Sequence, residues 1–460
     1  MPKSNQELLA SLYDRIYEIL TYTPKVGEGT DLSKDKGSIR VQMTQNAVIN
    51  TEDYMNAISG GNPDGDIEAA EAFARLVDQI PNSLSSGQWA PTEGLAKLYQ
   101  GIVVPTNIDP SLLPSEEQEA LHKRLQGLLR QEIKKKSIVT GIETVIMADS
   151  PLFTAYKEAK EAYEAALLTA AQGTLDAVLS TNKSKRQATL DKGKADAEAK
   201  ARYKDWIAAS KSDVEEILDA LESIKNNAIS AAISDARETM GNSKWISSNS
   251  EIGQPWMLAN ATPSNWTEPT CKGTTLTLSS DSLKTSTSST ATTYSTSSQG
   301  WFLGGGSGSS GSTDTKTTNM VAESFELSAE MVLVRIQRPW LNELLFTMKG
   351  WSTNAYPNKY SISDGKGNGA LPAIPISFVM VRNVTIKAKF SESDAEYMRS
   401  QSETTSSGGW GWGPFGSSSN KSTSDSTTEK FDSDGKTFTL TFSDPQIIAW
   451  ISRLVRACPS

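Results

Sequence analysis

Apolar residues recur at helical spacing through the first part of the chain. Over residues 4–20, Ser4 and Glu7 have the pattern of a capping box at the start of an apolar stripe. The stripe consists of Leu8, Leu12, Ile16 and Ile19. Similar periodicity marks residues 66–80 and a segment that begins at Ser115. Residues 1–149 are therefore predicted to form a helical region.

Residues 150–241 carry a longer helical pattern. The run STNKSKR interrupts it, and a second helix of about 50 residues, roughly 75 Å long, is predicted to follow and to end at Gly241. In that helix apolar residues recur by threes and fours, which is typical of a coiled-coil seam. The seam consists of Val214, Ile217, Leu221, Ile224 and Ala228. Such a helix requires a partner, which is either its neighbour in an antiparallel helical hairpin or another subunit.

After residue 241 the apolar positions alternate by twos, which is typical of strands with one buried face. Paired strands are expected near residues 325–336, 376–390 and 436–442. In the last of these, the apolar face consists of Phe438, Leu440 and Phe442. Residues 242–460 are therefore predicted to form an antiparallel β domain, and the whole chain an α+β fold with a mainly helical N-terminal half.

This β domain contains an internal repeat, with copies at about 273–345 and 376–455. Each copy reads as a strand, a Ser/Thr-rich arm, an aromatic and glycine-rich tip, a second polar arm and a second strand. A short helix, entered through Pro339 or Pro445, is expected after each copy. The pattern predicts two extended Ser/Thr-rich hairpins, because polar alternating arms with glycines at the turn favour hairpins.

The two tips, SSQGWFLGGGSGSS and SSGGWGWGPFGSSS, place large apolar side chains inside polar, linker-like sequence. The candidate contact residues are Trp301, Phe302, Leu303, Trp410, Trp412 and Phe415. They are expected to lie close together and to point away from the core. On this view, serine at Trp410, Trp412 and Phe415 leaves folding intact, whereas serine on the apolar face of residues 438–442 unfolds the sheet.

Three interpretations of the tips remain open. They are flexible linkers by composition, or membrane contacts in which the rings enter the headgroup interface, or contacts between copies of the chain. A helical front half followed by a β-rich half with Trp/Gly hairpin tips resembles pore-forming toxins in broad layout. That resemblance implies self-assembly at a membrane. A ring, tube or scaffold without membrane activity is the alternative.

Charge and hydropathy narrow the possible partners. The 460-residue chain has a formal net charge of −9, which argues against nucleic acid and against electrostatic docking on anionic lipid. No apolar run is long enough for a transmembrane helix, and the N-terminal segment lacks the features of a signal peptide. The expected protein is soluble when made, and either cytoplasmic or released by a non-classical route. Its expected partners are itself and a lipid bilayer.

Catalytic and metal-binding patterns are missing from the sequence. His122 is the single histidine and is expected on a solvated helix face, and the two cysteines, Cys271 and Cys458, form no cluster. We therefore predict no catalytic residue, no metal and no cofactor, and a non-enzymatic, self-assembling protein. An enzyme with an unrecognised carboxylate site is the second alternative.

Overall fold

The computed structural model describes most of the chain, in ranges separated by gaps. The ranges are 3–21, 38–45, 47–59, 62, 64–82, 84, 87–92, 94–104, 106–107, 116–136, 143–179, 185–226, 229–246, 255–280, 288–297, 302–304, 320–348, 351–353, 356, 358, 360–404, 409–416, 427–432 and 434–459.

Helices occur in both halves of the chain. In chain order the described α-helices are α1 (Asn5–Thr21), α2 (Ile67–Val77), α3 (Leu95–Val103), α4 (Glu116–Leu129), α5 (Pro151–Leu179), α6 (Lys185–Ala208), α7 (Lys211–Asn226), α8 (Ile229–Asn242), α9 (Ser289–Ser297) and α10 (Glu392–Thr404). Short 3₁₀ helices cover Thr51–Tyr54 and Glu343–Thr347.

The strands pair antiparallel, so the predicted α+β class is confirmed. The described strands are β1 (Lys3–Ser4), β2 (Ile39–Met43), β3 (Thr106–Asn107), β4 (Arg130–Lys136), β5 (Glu143–Asp149), β6 (Lys244–Ile246), β7 (Pro255–Met257), β8 (Asn260–Thr262), β9 (Thr274–Ser279), β10 (Phe302–Gly304), β11 (Val321–Gln337), β12 (Ser352–Thr353), β13 (Ala373–Phe390), β14 (Gly409–Trp412), β15 (Phe415–Gly416), β16 (Thr427–Phe431), β17 (Thr437–Phe442) and β18 (Gln446–Leu454).

Two long strands, β11 and β13, form the centre of the main sheet. They pair with Leu327 opposite Ile386, and β9 lies along the other edge of β11. On its far side β13 pairs with β17 along one part and with β18 along another, and β2 follows β18. The strands predicted near residues 325–336, 376–390 and 436–442 are all present.

Helix α1 covers one face of this sheet. Its predicted stripe is fully buried and belongs to the same apolar core as Phe438, Leu440 and Phe442, whose burial was also predicted. The predicted capping box is formed, because the Ser4 backbone N–H donates to Glu7 Oε2 at 2.8 Å. Strands β1 to β5 also lie within the first 149 residues, and β1 and β2 join the main sheet. The proposed division into three regions stays a prediction.

The predicted helix of about 50 residues is interrupted, so that expectation was wrong. A turn at Ala209 and Ser210 separates α6 from α7, and Ser210 has φ of 60°, a left-handed conformation that ends an α-helix. Helices α5 and α6 pack antiparallel, with the rings of Tyr163 and Tyr203 5.2 Å apart and those of Tyr156 and Trp206 5.8 Å apart. A continuous coiled coil is not confirmed.

The predicted seam residues face this same bundle. Val214 and Leu221 are buried in a cluster with α5 and α6 side chains, and Ile217 packs against its edge. The side chain of Ile224 and the whole of Ala228 lie outside the described residues.

Two expectations for the repeat were also wrong. The first polar arm of each copy contains a helix, α9 or α10, instead of a continued strand. The helix expected after Pro445 is strand β18, because its β-branched run pairs with β13 on one side and β2 on the other. The helix expected after Pro339 is the 3₁₀ helix at Glu343–Thr347.

Candidate functional site

The two predicted tips meet in the structure. Strand β10 of the first tip pairs antiparallel with β14 of the second, with Leu303 opposite Trp410, and β14 pairs with β15. These three strands, β10, β14 and β15, are called the docked sheet below. Segments separated by about a hundred residues thus lie side by side, which confirms that the tips are neighbours.

A glycine makes the turn between β14 and β15. Trp412 lies opposite Phe415, and Gly413 between them has φ of 58°, which is unfavourable for any residue with a Cβ. A Cβ at Gly413 would also lie 2.6 Å from Leu9 Cδ2. The turn therefore sits directly on α1, and the glycine is required by conformation and by contact.

The rings of Trp412 and Phe415 point into the core, so their expected outward direction was wrong. Trp412 is 1% exposed and Phe415 is 0% exposed. The Trp412 ring lies 4.9 Å from that of Phe325, and its Nε1–H donates to Asn5 Oδ1 at 2.7 Å. The apolar surface offered by α1 and β11 explains this orientation, because burying a large ring there avoids exposing it to water.

The other four candidate residues are described less fully. Trp301 lies outside the described residues. The backbones of Phe302, Leu303 and Trp410 belong to β10 and β14, and their side chains lie outside the part of the chain that the structure describes.

Helix α9 packs against α1 next to the docked sheet. Its Tyr294 is fully buried, with its ring 5.6 Å from that of Tyr13 on α1. Burial raises the pKa of the Tyr13 hydroxyl, which therefore stays protonated and donates to the Val41 carbonyl at 2.7 Å. On β15, the Gly416 N–H donates to Gln446 Oε1 at 2.9 Å.

The segments that carry the tips occupy equivalent places in the main sheet. The first insertion, residues 280–320, joins β9 to β11, which pair with Leu278 opposite Leu327. The second insertion, residues 391–436, joins β13 to β17, which pair with Ile386 opposite Leu440. Each insertion contains a helix followed by one or two strands of the docked sheet, and the second insertion also contains β16, which pairs with β17 in the main sheet. This common order agrees with the repeat predicted from sequence.

A half-buried carboxylate lies elsewhere, on α5, and sequence reasoning did not single it out. Burial raises the pKa of Glu161, whose Oε1 accepts from Gln337 Nε2 at 3.4 Å. Gln337 Oε1 in turn accepts from Lys157 Nζ at 2.9 Å, and Arg335 forms an ion pair with Glu164. Acidic residues at helical spacing on α5 opposite Arg335 on β11 were the available signal. The network ties α5 to the main sheet.

The two cysteines and the single histidine are all buried. Cys271 and Cys458 are both buried free thiols. His122 is 7% exposed, so its expected solvated position was wrong, because α4 packs against α5 and α7. Among the described residues, no three His, Cys, Asp or Glu side chains are grouped as a metal site. No helix in those same ranges is both long and apolar enough to span a membrane.

Comparison with protein-family models, with curated proteins and with solved structures finds no match for this chain.

Proposed function

We propose that this is a non-enzymatic, self-assembling protein that contacts membranes through its two aromatic tips after the insertions leave the docked position. The observation that supports the proposal is the equivalent placement of the insertions. Each one joins two strands that already pair with each other, and each delivers an aromatic, glycine-rich segment to one docked sheet.

Strand register makes the released form plausible in physical terms. Ser279 at the end of β9 lies opposite Glu326, and Lys389 near the end of β13 lies opposite Thr437. An insertion drawn out from such a pair continues two antiparallel strands that are already aligned, and in the second insertion β16 must first leave its pairing with β17. Each new backbone hydrogen bond then forms next to an existing one, which avoids a fresh loop-closure cost.

Composition favours the extended form of the first insertion. Helix α9 has the sequence STATTYSTS, in which seven of nine residues are Ser or Thr. These residues are weak helix formers, and threonine is favoured in strands. The helix is held by tertiary burial of Ala291 and Tyr294. Once that burial is lost, the same residues favour a strand.

The rings supply the membrane contact in this proposal. Tryptophan is favoured at the headgroup interface, where its ring is buried and its N–H stays hydrated. On release, the rings of Trp412 and Phe415 leave the apolar core and enter the apolar part of the membrane. Full burial stabilises each ring by about 1.5–3 kcal/mol, so burial in the membrane offsets the burial lost in the core. A net charge of −9 makes this apolar route more favourable than electrostatic attraction to anionic lipid.

A reversible disulfide across α9 tests the proposal. A Cβ at Gly87 would lie 3.3 Å from Thr290 Cγ2, so Gly87→Cys with Thr290→Cys places the two side chains in contact. Gly87 has φ of 68°, which disfavours a residue with a Cβ, so the melting temperature of the reduced double variant first establishes that it is folded. The native thiols are buried and do not compete. The oxidised protein should bind phosphatidylcholine vesicles at least about tenfold more weakly in flotation than the reduced protein.

The reduced double variant is the matched control, and Thr290→Cys alone controls for oxidation. Light scattering on the vesicle-free and vesicle-bound protein reports assembly. Equal binding by the oxidised and reduced forms would contradict release of the insertion. No binding by either form would overturn the membrane contact, and a defined oligomer in that case would favour the ring, tube or scaffold alternative.

A further inference from the structure

A cleft remote from the docked sheet lies between α2, α3, α8 and β7. Its volume is about 470 Å³, within the range of small-molecule sites, which is about 300–1,000 Å³. The proposed membrane function makes no use of this cleft. Its walls differ in character, with apolar side chains on the floor and cations on the rim.

The floor is apolar and fixed in place. Met240 and Trp256 are buried, at 8% and 5% exposed, and Met257 lies beside them. The Trp256 ring stacks on Trp245, with 5.6 Å between ring centroids and 28° between the ring planes. Together these side chains present a fixed apolar surface to the organic body of a ligand.

The rim is positively charged. Arg75, Lys97, Arg237 and Lys244 line the cleft, whereas Asp78 is the single acidic residue among the described residues that line it. This excess of cations contrasts with the net charge of −9 for the whole chain. A local positive site in a negative protein concentrates small anions.

Two of the four cations and the one carboxylate are already engaged. Arg75 pairs with Glu71 at 2.7 Å, and Arg237 Nε donates to the Val103 carbonyl at 3.2 Å. Asp78 Oδ1 accepts from the Ala96 N–H at 2.7 Å and so caps the start of α3.

Lys97 and Lys244 remain available. Neither lies within ion-pair distance of a carboxylate in the part of the chain that the structure describes. Two ammonium groups above an apolar floor match one phosphate or carboxylate on an organic body.

We propose that this cleft binds a small organic anion, with its phosphate or carboxylate at Lys97 and Lys244 and its aryl or alkyl body over Met240 and Trp256. A free metabolite-sized anion and a lipid headgroup share this chemistry, and the choice of probes separates the two sources.

Calorimetric titration with phenyl phosphate tests the site. We expect one saturable site, with inorganic phosphate at least about tenfold weaker because it lacks the apolar body. The double variant Lys97→Glu, Lys244→Glu should lose at least about tenfold in affinity. The matched control reverses two exposed lysines on α6, Lys194→Glu with Lys200→Glu, and should bind as the unaltered protein does.

A steric variant tests the cleft without changing its charge. Gly241 lines the cleft, and a Cβ there meets no atom within 4 Å, so Gly241→Leu adds apolar bulk at the cleft. It should weaken phenyl phosphate binding, whereas Gly193→Leu, at an equally open glycine on α6, should not. Melting temperatures establish that the variants are folded.

The outcomes decide the proposal. Phenyl phosphate binding that survives both Lys97→Glu, Lys244→Glu and Gly241→Leu would overturn it, as would the absence of binding to any probe. Binding of phosphatidic acid vesicles that depends on the two lysines, without binding of phenyl phosphate, would support the anion site and identify its source as a lipid headgroup.

Discussion

Trp412 makes one polar contact that links the second tip to the start of the chain. Its Nε1–H donates to Asn5 Oδ1, and Asn5 is 1% exposed. The two residues are 407 positions apart in sequence. This buried hydrogen bond links the docked sheet to α1 in addition to their apolar contact, and its loss leaves a buried donor unsatisfied.

Asn5→Ala should lower the free energy of unfolding by about 1–3 kcal/mol, because the indole N–H keeps its burial and loses its acceptor. Urea denaturation measures the change. In a Trp412→Phe background, which lacks the N–H, Asn5→Ala should cost about 1 kcal/mol less. The same cost in both backgrounds would mean that the Asn5 effect does not pass through Trp412.

Burial of Trp412 and Phe415 also revises the expectation for serine at these positions. Each substitution removes a ring from a packed core, and ring deletions of this kind cost about 3–5 kcal/mol. We now expect Trp412→Ser and Phe415→Ser to destabilise the fold, as serine on the buried face of β17 does. Thermal unfolding of the single variants checks this, and unchanged melting temperatures would contradict it.

At the scale of elements, helix α9 has a sequence that opposes its own conformation. Thr292 and Thr293 are exposed on its surface, and each hydroxyl bonds to a carbonyl one turn back, at 3.0 and 2.9 Å. Both positions are β-branched, which weakens the helix and favours a strand. Substitutions at these two exposed positions can therefore change the stability of α9 without altering the core.

Thr292→Ala with Thr293→Ala should stabilise α9 by about 0.5 kcal/mol per residue and reduce vesicle binding, since the helix then competes better with the extended form. Flotation with phosphatidylcholine vesicles measures the bound fraction. Valine at both positions is the control, because it removes the same hydroxyls and keeps the β-branch. If alanine and valine bind vesicles equally, helix stability does not govern release.

The junction of β11, β13 and the segment before β9 carries a pH-sensitive ion pair. Arg382 donates to Glu330 at 2.6 and 2.9 Å and to the Glu268 carbonyl at 2.8 Å, and the Gly273 N–H donates to Glu330 at 3.1 Å. The bonds from Arg382 hold the pKa of the Glu330 carboxyl below its ordinary value of 4.5. A carboxylate with a lowered folded-state pKa stabilises the fold when it is ionised.

Near neutral pH, Glu330→Gln should therefore be less stable than the unaltered protein. This difference in the free energy of unfolding should shrink as the pH falls. Above the ordinary carboxyl pKa of 4.5 the unaltered protein holds its full advantage, and it loses that advantage as the pH drops through the lower folded-state pKa. Denaturation midpoints of both proteins across this range measure the difference. A difference that is constant with pH would exclude a contribution from Glu330 ionisation.

At the scale of the whole molecule, the long strands and the docked sheet differ in extent. Strands β11 and β13 run for 17 and 18 residues, whereas β10, β14 and β15 have 3, 4 and 2 residues. Fewer backbone hydrogen bonds and a smaller packed area make the docked sheet the easier part to open. A rigid sheet with openable insertions is what the proposed membrane contact requires.

Hydrogen exchange with and without phosphatidylcholine vesicles tests this division. Without vesicles, amides of the docked sheet should exchange faster than those of β11 and β13. With vesicles, protection should change over residues 288–304 and 392–416 and stay unchanged along the central strands. Uniform changes across the chain would indicate general unfolding at the bilayer and would contradict release of the insertions.

Local pattern was sufficient wherever neighbours in sequence determine the outcome. The cap and apolar stripe of α1, the buried face of β17 and the α+β class all followed from periodicity, because side-chain direction repeats regularly along a helix or strand. The proximity of the two tips also followed, since similar segments inserted between paired strands project alike. To predict these features it is enough that a core exists, and the identity of the packing partners is not required.

Tertiary structure decided which surface each ambiguous segment meets. The rings of Trp412 and Phe415 turn inward because α1 and β11 offer an apolar surface there, and nothing near the tip in sequence reveals that surface. Likewise α9 is helical because Tyr294 and Ala291 are buried, and residues 446–454 form a strand because β13 and β2 flank them. Burial and strand pairing join residues far apart in sequence, so they can override weak local preference.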